Sequence, residues 1–105
     1  MKKTLVLRQE AERDLAEAHA WYEERVPGLG SDFLAVVEQT LEDIQKDPGR
    51  FPLIYHEIRR TLIRRFPYGV FFVCEEQRIT VLAVMHTARE PGKWQHRSML
   101  QLQQL

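Results

Sequence analysis

The fold is decided by residues 68–86, YGVFFVCEEQRITVLAVMH. Two apolar runs, 68–74 and 79–86, are rich in β-branched and aromatic residues and flank the polar turn 75–78, which predicts two strands joined by that turn. Both runs are apolar at odd and even positions alike. The middle of the sheet should therefore be covered on both faces.

Two further strands are predicted on the N-terminal side of this pair. Residues 59–66 alternate imperfectly between charged and apolar side chains and end at Pro67, which interrupts the pattern. Near the start of the chain, residues 4–7 form a short apolar run with β-branched content. We therefore expect one strand at the beginning of the chain and three in its second half.

A helix is predicted from residue 10 onward, because apolar residues recur there at spacings of four, three and four with acidic residues between them. These apolar positions are Ala11, Leu15, Ala18 and Tyr22. The sequence Pro27-Gly28-Leu29-Gly30 breaks this helix.

A second helix is predicted after the break, where Ser31 or Asp32 can cap it by accepting a hydrogen bond from a free N–H group. It carries apolar residues at helical spacing again, namely Phe33, Val36, Val37, Leu41 and Ile44. It stops before Pro48-Gly49. So short a connection places the two helices side by side as an αα-hairpin.

These elements give the order β-α-α-β-β-β, an α+β fold in which the αα-hairpin packs on a small antiparallel sheet. The chain has 105 residues, enough for one core, so residues 1–105 are expected to form a single domain. The hairpin can cover one face of the sheet. Residues 93–105 are a candidate C-terminal helix for the other face or for a partner.

Composition excludes several classes of protein. No apolar run approaches the roughly 18 residues that cross a bilayer, and the apolar stretch near the start is too short for a signal peptide. A cytoplasmic location without membrane contact is therefore expected. The single cysteine, Cys74, excludes an internal disulfide and a multi-cysteine zinc site, and no histidine pair has metal-site spacing. We expect no metal or other cofactor.

The formal net charge of zero hides an asymmetry. Residues 1–48 carry six basic against eleven acidic side chains, and residues 49–105 carry nine basic against four acidic ones. This split indicates either that the C-terminal half faces an anionic partner, nucleic acid or an acidic protein, or that an acidic helical layer packs beside a basic sheet edge for solubility.

The densest basic stretch contains Arg59, Arg60, Arg64 and Arg65. Strand alternation sends Arg60 and Arg64 to one face and Arg59 and Arg65 to the other. One pair is then a candidate contact for a partner. The alternative is an edge strand whose charges prevent sheet-to-sheet aggregation.

A series of short motifs, each present once, extends over almost the whole chain. They are Ala11-Glu12-Arg13-Asp14-Leu15, Trp21-Tyr22-Glu23-Glu24, Pro27-Gly28-Leu29-Gly30 with Phe33, Asp47-Pro48, Arg50-Phe51-Pro52, Arg59-Arg60, Phe66-Pro67-Tyr68-Gly69-Val70, Val81-Leu82-Ala83-Val84-Met85-His86, and Arg89-Glu90-Pro91 with Trp94. In this order the chain resembles the RelE/ParE toxin superfamily, in particular its ParE-like, plasmid-stabilisation branch. The resemblance implies the toxin of a type II toxin–antitoxin system, neutralised by a cognate antitoxin that wraps across its surface.

Targets differ within that superfamily. RelE-like members cut mRNA in the ribosomal A site, whereas ParE-like members block DNA gyrase, so the choice rests on the site residues. Metal-free RNA cleavage needs a base, an acid and cations around the phosphate. By the resemblance, Arg60, Arg64 and Arg89 remain as phosphate contacts. His86 is a candidate general base, or else a half-buried histidine that hydrogen-bonds a loop and holds the end of its strand.

The nuclease set is incomplete. Gly69 stands where the resemblance implies a further arginine, Leu62 where the nucleases tend to place a base, and Trp94 and Gln95 near the position of a C-terminal tyrosine. The isoelectric point near 6.9 is also low for a ribosome-bound nuclease.

We therefore expect a ParE-like toxin that inhibits DNA gyrase by binding and has no complete catalytic site. The expected partner-binding residues are Arg59, Arg60, Arg64, Arg65 and Arg89. One alternative is a ribosome-dependent mRNA endonuclease that uses Arg60, Arg64, His86 and Arg89. The other is a non-toxic binding module of the same fold.

Overall fold

The structure is a computed structural model that describes residues 3–88. Its elements are β1 (Thr4–Leu7), α1 (Gln9–Arg25), α2 (Leu29–Lys46), a 3-10 turn (Pro48–Arg50), β2 (Leu53–Tyr55), β3 (Ile58–Leu62), β4 (Tyr68–Cys74) and β5 (Arg78–His86). The predicted order is confirmed, with β2 as an addition. The candidate helix over residues 93–105 lies outside the described residues. Within residues 3–88, no helix combines the length and the apolarity needed to cross a membrane.

Two left-handed residues explain where the strands differ from the prediction. His56 has a φ of 49° and turns the short strand β2 back onto β3. Three residues are too few to show an alternating period, so β2 could not be predicted from its pattern. Arg65 has a φ of 70° in the connection to β4. β3 therefore ends at Leu62 rather than at residue 66.

The five strands form one sheet in the order β1-β5-β4-β3-β2. β1 runs parallel to β5, whereas the other neighbours are antiparallel. The sheet is thus mixed rather than purely antiparallel. The helical hairpin leads from β1 to β2 at the opposite edge, and β3, β4 and β5 then return across the sheet until β5 lies beside β1. β5 has a neighbour on each side, and seven of its nine residues are buried.

Both faces of the central strands are buried, as the apolar pattern predicted. The face under the helices joins α1 and α2 to Val70 and Phe72 of β4 and to Val81 and Val84 of β5. We call this the first core. On the opposite face lies a second cluster of Ile58, Phe71, Leu82, Ala83 and Met85.

A bulge lies in β5, the strand that contributes side chains both to the first core and to the second cluster. Phe72 pairs with Val81 and Phe71 with Ala83, so Leu82 is an extra residue on β5. Beside the bulge, the N–H of Val84 donates to Oδ2 of Asp14 on α1 at 2.9 Å. This half-buried carboxylate ties the first helix to the centre of the sheet.

The cap of α2 differs from the prediction. The N-cap is Gly28 with a φ of 89°, not Ser31 or Asp32, because the helix already begins at Leu29. The N–H groups of Gly28 and Gly30 donate to Oε2 and Oε1 of Glu23 at 2.8 and 2.9 Å. The side chain that caps the second helix therefore comes from the end of the first.

These contacts make the hairpin sensitive to acid. The hydrogen bond from Gly28, followed by the one from Gly30 and the charge of His19, holds the pKa of Glu23 below its ordinary value of 4.5. A group whose folded-state pKa is depressed contributes stability above the ordinary value, and this contribution is lost as the pH falls through the folded-state value. We therefore expect Glu23→Gln to destabilise the protein at neutral pH, by an amount that shrinks below about pH 4.5.

The measurement is the free energy of unfolding in urea between pH 7 and pH 3 for both proteins. Glu75 also has a lowered pKa, caused first by the hydroxyl of Thr80, but it is present in both proteins and cancels in their difference. Glu24→Gln, at the exposed neighbouring position, is the matched control and should give a small difference at every pH. A pH-independent difference for Glu23→Gln would contradict the expectation.

Candidate functional site

Arg59 is held by the backbone of the 3-10 turn region. β3 pairs it with Phe72, whose side chain lies in the first core, so Arg59 faces the helices. Its Nη1 donates to the carbonyl oxygens of Gly49 and Phe51 at 3.2 and 2.6 Å. Two backbone acceptors thus engage this guanidinium, and its position fastens β3 to the segment that precedes β2.

Arg60 lies on the other face of the sheet. It pairs with Phe71, a member of the second cluster. Its stem runs beside Gly69, since its Cγ and Cδ lie 3.5 Å from the place that a Cβ on residue 69 would take. Among residues 3–88 no hydrogen bond or ion pair engages its guanidinium. Within this part of the chain, Arg60 is therefore a half-buried cation without a charged or hydrogen-bonded partner for its guanidinium.

Arg64 and Arg65 follow the end of β3, so the predicted strand alternation does not reach them. Arg65 lies 3.8 Å from the carboxylate of Asp32 on α2, and both side chains are more than half exposed. Such an exposed pair contributes little to stability. Arg64 is exposed and, within the part of the chain that the structure describes, has no carboxylate partner.

A groove runs between α2 and the outer edge of β3, and we call it the α2–β3 groove. Its volume is about 460 Å³. The residues that line it are Asp32, Ala35, Val36, Gln39, Thr40 and Asp43 of α2 and, on the other side, Arg50, Phe51, Thr61, Leu62, Arg64 and Arg65. It brings together two of the predicted partner-binding residues, Arg64 and Arg65.

Sequence reasoning did not find this groove. The polar residues that α2 contributes to it, Asp32, Gln39 and Asp43, share one side of the helix at spacings of seven and four. Such a polar side is present on every amphipathic surface helix, so the pattern did not indicate a groove. Arg50, which belongs to the motif Arg50-Phe51-Pro52, also lines the groove.

His86 is engaged at the end of β5. Its Nδ1 accepts a hydrogen bond from the N–H of Ala88 at 3.1 Å, and its ring packs edge-on against that of Tyr68, with ring centroids 5.4 Å apart. With Nδ1 accepting, the neutral ring carries its proton on Nε2. This arrangement is typical of a histidine that holds the end of a strand.

The candidate nuclease residues are not gathered around one space. Arg60 pairs with Phe71 on the face turned away from the helices, whereas His86 pairs with Tyr68 on the helix-facing side. Arg64 lines the α2–β3 groove. Arg89 lies outside the described residues. Within residues 3–88, no group of histidine, cysteine and carboxylate side chains is placed to hold a metal ion.

Comparison with known proteins identifies a family and solved structures of similar fold. A family model described as the ParE toxin of the type II toxin–antitoxin system parDE matches residues 5–91. A chain of the chromosomal ParDE system from P. aeruginosa is 16% identical, with a TM-score of 0.73 over 81% of this chain and 96% of that chain. A chain of the RelBE2 toxin–antitoxin complex from Mycobacterium tuberculosis is 23% identical, with a TM-score of 0.56 over 82% and 99%. No curated protein matches.

Proposed function

Because this chain belongs to the family of ParE toxins of type II toxin–antitoxin systems, we propose that it inhibits DNA gyrase by binding and that a cognate antitoxin neutralises it. The toxin acts by stoichiometric trapping of its target rather than by turnover. It acts in the cytoplasm, where gyrase works, and its biological role is plasmid stabilisation.

The separation of Arg60 from His86 is the observation that carries this proposal. RNA cleavage at the 2′-hydroxyl requires the base and the phosphate-binding cations to reach the same nucleotide. Here Arg60 and His86 lie on opposite faces of the sheet, so the sheet itself separates the two side chains. His86 also uses Nδ1 to hold Ala88. This arrangement favours a binding surface over a catalytic centre.

The charges of the second half of the chain supply that surface. Of the four arginines between residues 59 and 65, Arg59 is bound to backbone carbonyls and Arg65 has an ion-pair partner. Arg60 and Arg64 remain for an anionic partner, one on the far face of the sheet and one in the α2–β3 groove.

The test follows macromolecular synthesis after induced expression in a bacterial host, with labelled thymidine and labelled methionine. We expect thymidine incorporation to fall first, and purified protein to inhibit supercoiling by gyrase at a near-stoichiometric ratio. Immediate loss of methionine incorporation with continuing DNA synthesis would overturn the proposal in favour of a ribosome-dependent mRNA endonuclease. No effect on either would favour a non-toxic binding module.

His86→Asn separates binding from catalysis in the same assay. The amide oxygen of asparagine can accept the hydrogen bond from Ala88 in place of Nδ1, so the end of β5 is kept. Asparagine cannot act as a general base near neutral pH. We expect toxicity to survive this change within about a factor of three, whereas loss of a catalytic base costs on the order of 100-fold or more.

A further inference from the structure

The outer edge of β3 is only partly covered. β2 pairs with Ile58 and Arg59, and the last contact is the N–H of Arg60, which donates to the carbonyl of Pro52 at 3.2 Å. Backbone groups along an antiparallel strand face its two neighbours alternately. The N–H of Ile63 donates to Tyr68 towards β4, so the N–H of Leu62 faces outward, beyond the end of β2. Within residues 3–88 no strand pairs with it there.

This open position lies in the α2–β3 groove. Thr61 and Leu62 both line the groove, and Leu62, which shares the face of Arg60 by strand alternation, is 58% exposed. Val36 and Phe51 supply apolar surface within the groove. A strand laid against Leu62 would pair its backbone with β3 and place alternate side chains on this apolar floor.

The groove carries more basic than acidic side chains. Three arginines, Arg50, Arg64 and Arg65, line it together with the two aspartates Asp32 and Asp43. Asp32 pairs with Arg65, whereas Arg50 and Arg64 have no carboxylate partner among residues 3–88. An occupant with carboxylates is therefore favoured over a basic one.

We propose that an acidic, extended segment of the antitoxin adds to the β3 edge at Leu62 and places carboxylates against Arg50 and Arg64. The inference rests on the proposed function, because it takes the antitoxin as the partner. A second copy of this chain would bring the same cations to the same edge and is disfavoured by like-charge repulsion. A nucleic acid would meet the charges but has no peptide backbone to pair with Leu62.

The first test measures amide exchange on the unaltered chain. The probe is the full-length protein encoded by the gene beside this one, purified with the chain as a complex. By NMR-detected exchange, we expect the Leu62 amide to exchange rapidly in the free chain and at least about tenfold more slowly in the complex. An equal rate in both would overturn the docking site.

A proline at position 62 tests the backbone contact. Leu62→Pro removes the outward N–H and leaves the bonds of Thr61 and Ile63 to β4 in place, which edge strands tolerate. We expect affinity for the same probe to fall about tenfold or more, whereas Leu62→Val, which keeps the N–H, stays within about threefold. The melting temperature of each free variant shows whether the fold is kept. Equal affinities for the two variants would reject strand addition.

Charge reversal tests the side-chain contacts. We expect Arg64→Glu to weaken binding about tenfold or more at low salt, with a smaller effect at high salt. Arg13→Glu makes the same change of charge on an exposed part of α1 and should leave affinity nearly unchanged. If the unaltered chain forms the complex and Arg64→Glu binds with the same affinity, the proposed docking site is wrong, while the proposed function still stands. Absence of any complex would remove the partner, and with it the antitoxin part of the proposed function.

Discussion

Phe33→Ala is expected to lower the free energy of unfolding by about 3–5 kcal/mol, the usual cost of deleting a buried phenylalanine ring. Phe33 is fully buried. Its ring centroid lies 5.1 to 5.5 Å from those of Tyr22, Phe66 and Tyr68, so the ring joins both helices to β4 and to the turn before it. Such aromatic pairs add to the area that is buried. Alanine would leave a cavity where three segments of the chain meet.

Urea unfolding measures this effect, and the adjacent residue supplies the control. Leu34 is 38% exposed on the same helix, so Leu34→Ala should cost about 1 kcal/mol or less. Since a domain of this size is stable by about 5–15 kcal/mol, Phe33→Ala should also reduce the amount of toxin in cells and hence growth arrest. Equal losses for the two variants would show that Phe33 is not central to the core.

Gly30→Ala is expected to cost about 2–3 kcal/mol, although it adds a single methyl group. A Cβ on residue 30 would lie 2.6 Å from the carbonyl oxygen of His19 and 2.8 Å from Oε1 of Glu23. The first of these atoms belongs to the backbone of α1 and cannot rotate away. The helices would have to separate, and the bond from the Gly30 N–H to Glu23 would lengthen with them.

Gly49→Ala is the matched control, because a Cβ on Gly49 would have no atom within 4 Å. We expect that change to alter stability by no more than about 0.5 kcal/mol. The comparison uses thermal and urea unfolding of both variants beside the unaltered chain. If Gly30→Ala proved as mild as Gly49→Ala, the close approach of the two helices would be wrong.

Much of the fold was predictable because its signals are local. Apolar spacing within α1 and α2, the break at residues 27–30 and the doubly apolar runs of β4 and β5 each lie within a few residues. The parallel pairing of β1 with β5 was not predictable, since its partners are more than 70 positions apart. Strand periodicity states which residues alternate, not which strand they join.

The site was less predictable, because it depends on where the backbone bends. The cluster of arginines was visible in the sequence, but Arg59 is engaged by carbonyls eight and ten residues before it. β3 ends at Leu62, so Arg64 lies in the bend that follows the strand carrying Arg60. Likewise, Glu23 caps α2 from the preceding helix, where a local pattern favoured Ser31 or Asp32. Each of these contacts is set by tertiary geometry.

The pairing of β1 with β5 also determines when the sheet can be completed during synthesis of the chain on the ribosome. The sheet needs residues 78–81 to pair with residues 4–7, so a chain emerging from the ribosome holds its first strand without a neighbour until most of the polypeptide has been made. At about 5–20 residues per second this interval lasts roughly 4–15 s. During that time the helical hairpin exists without the sheet on which it packs, and a ribosome still translating the message carries a nascent toxin without its finished binding surface.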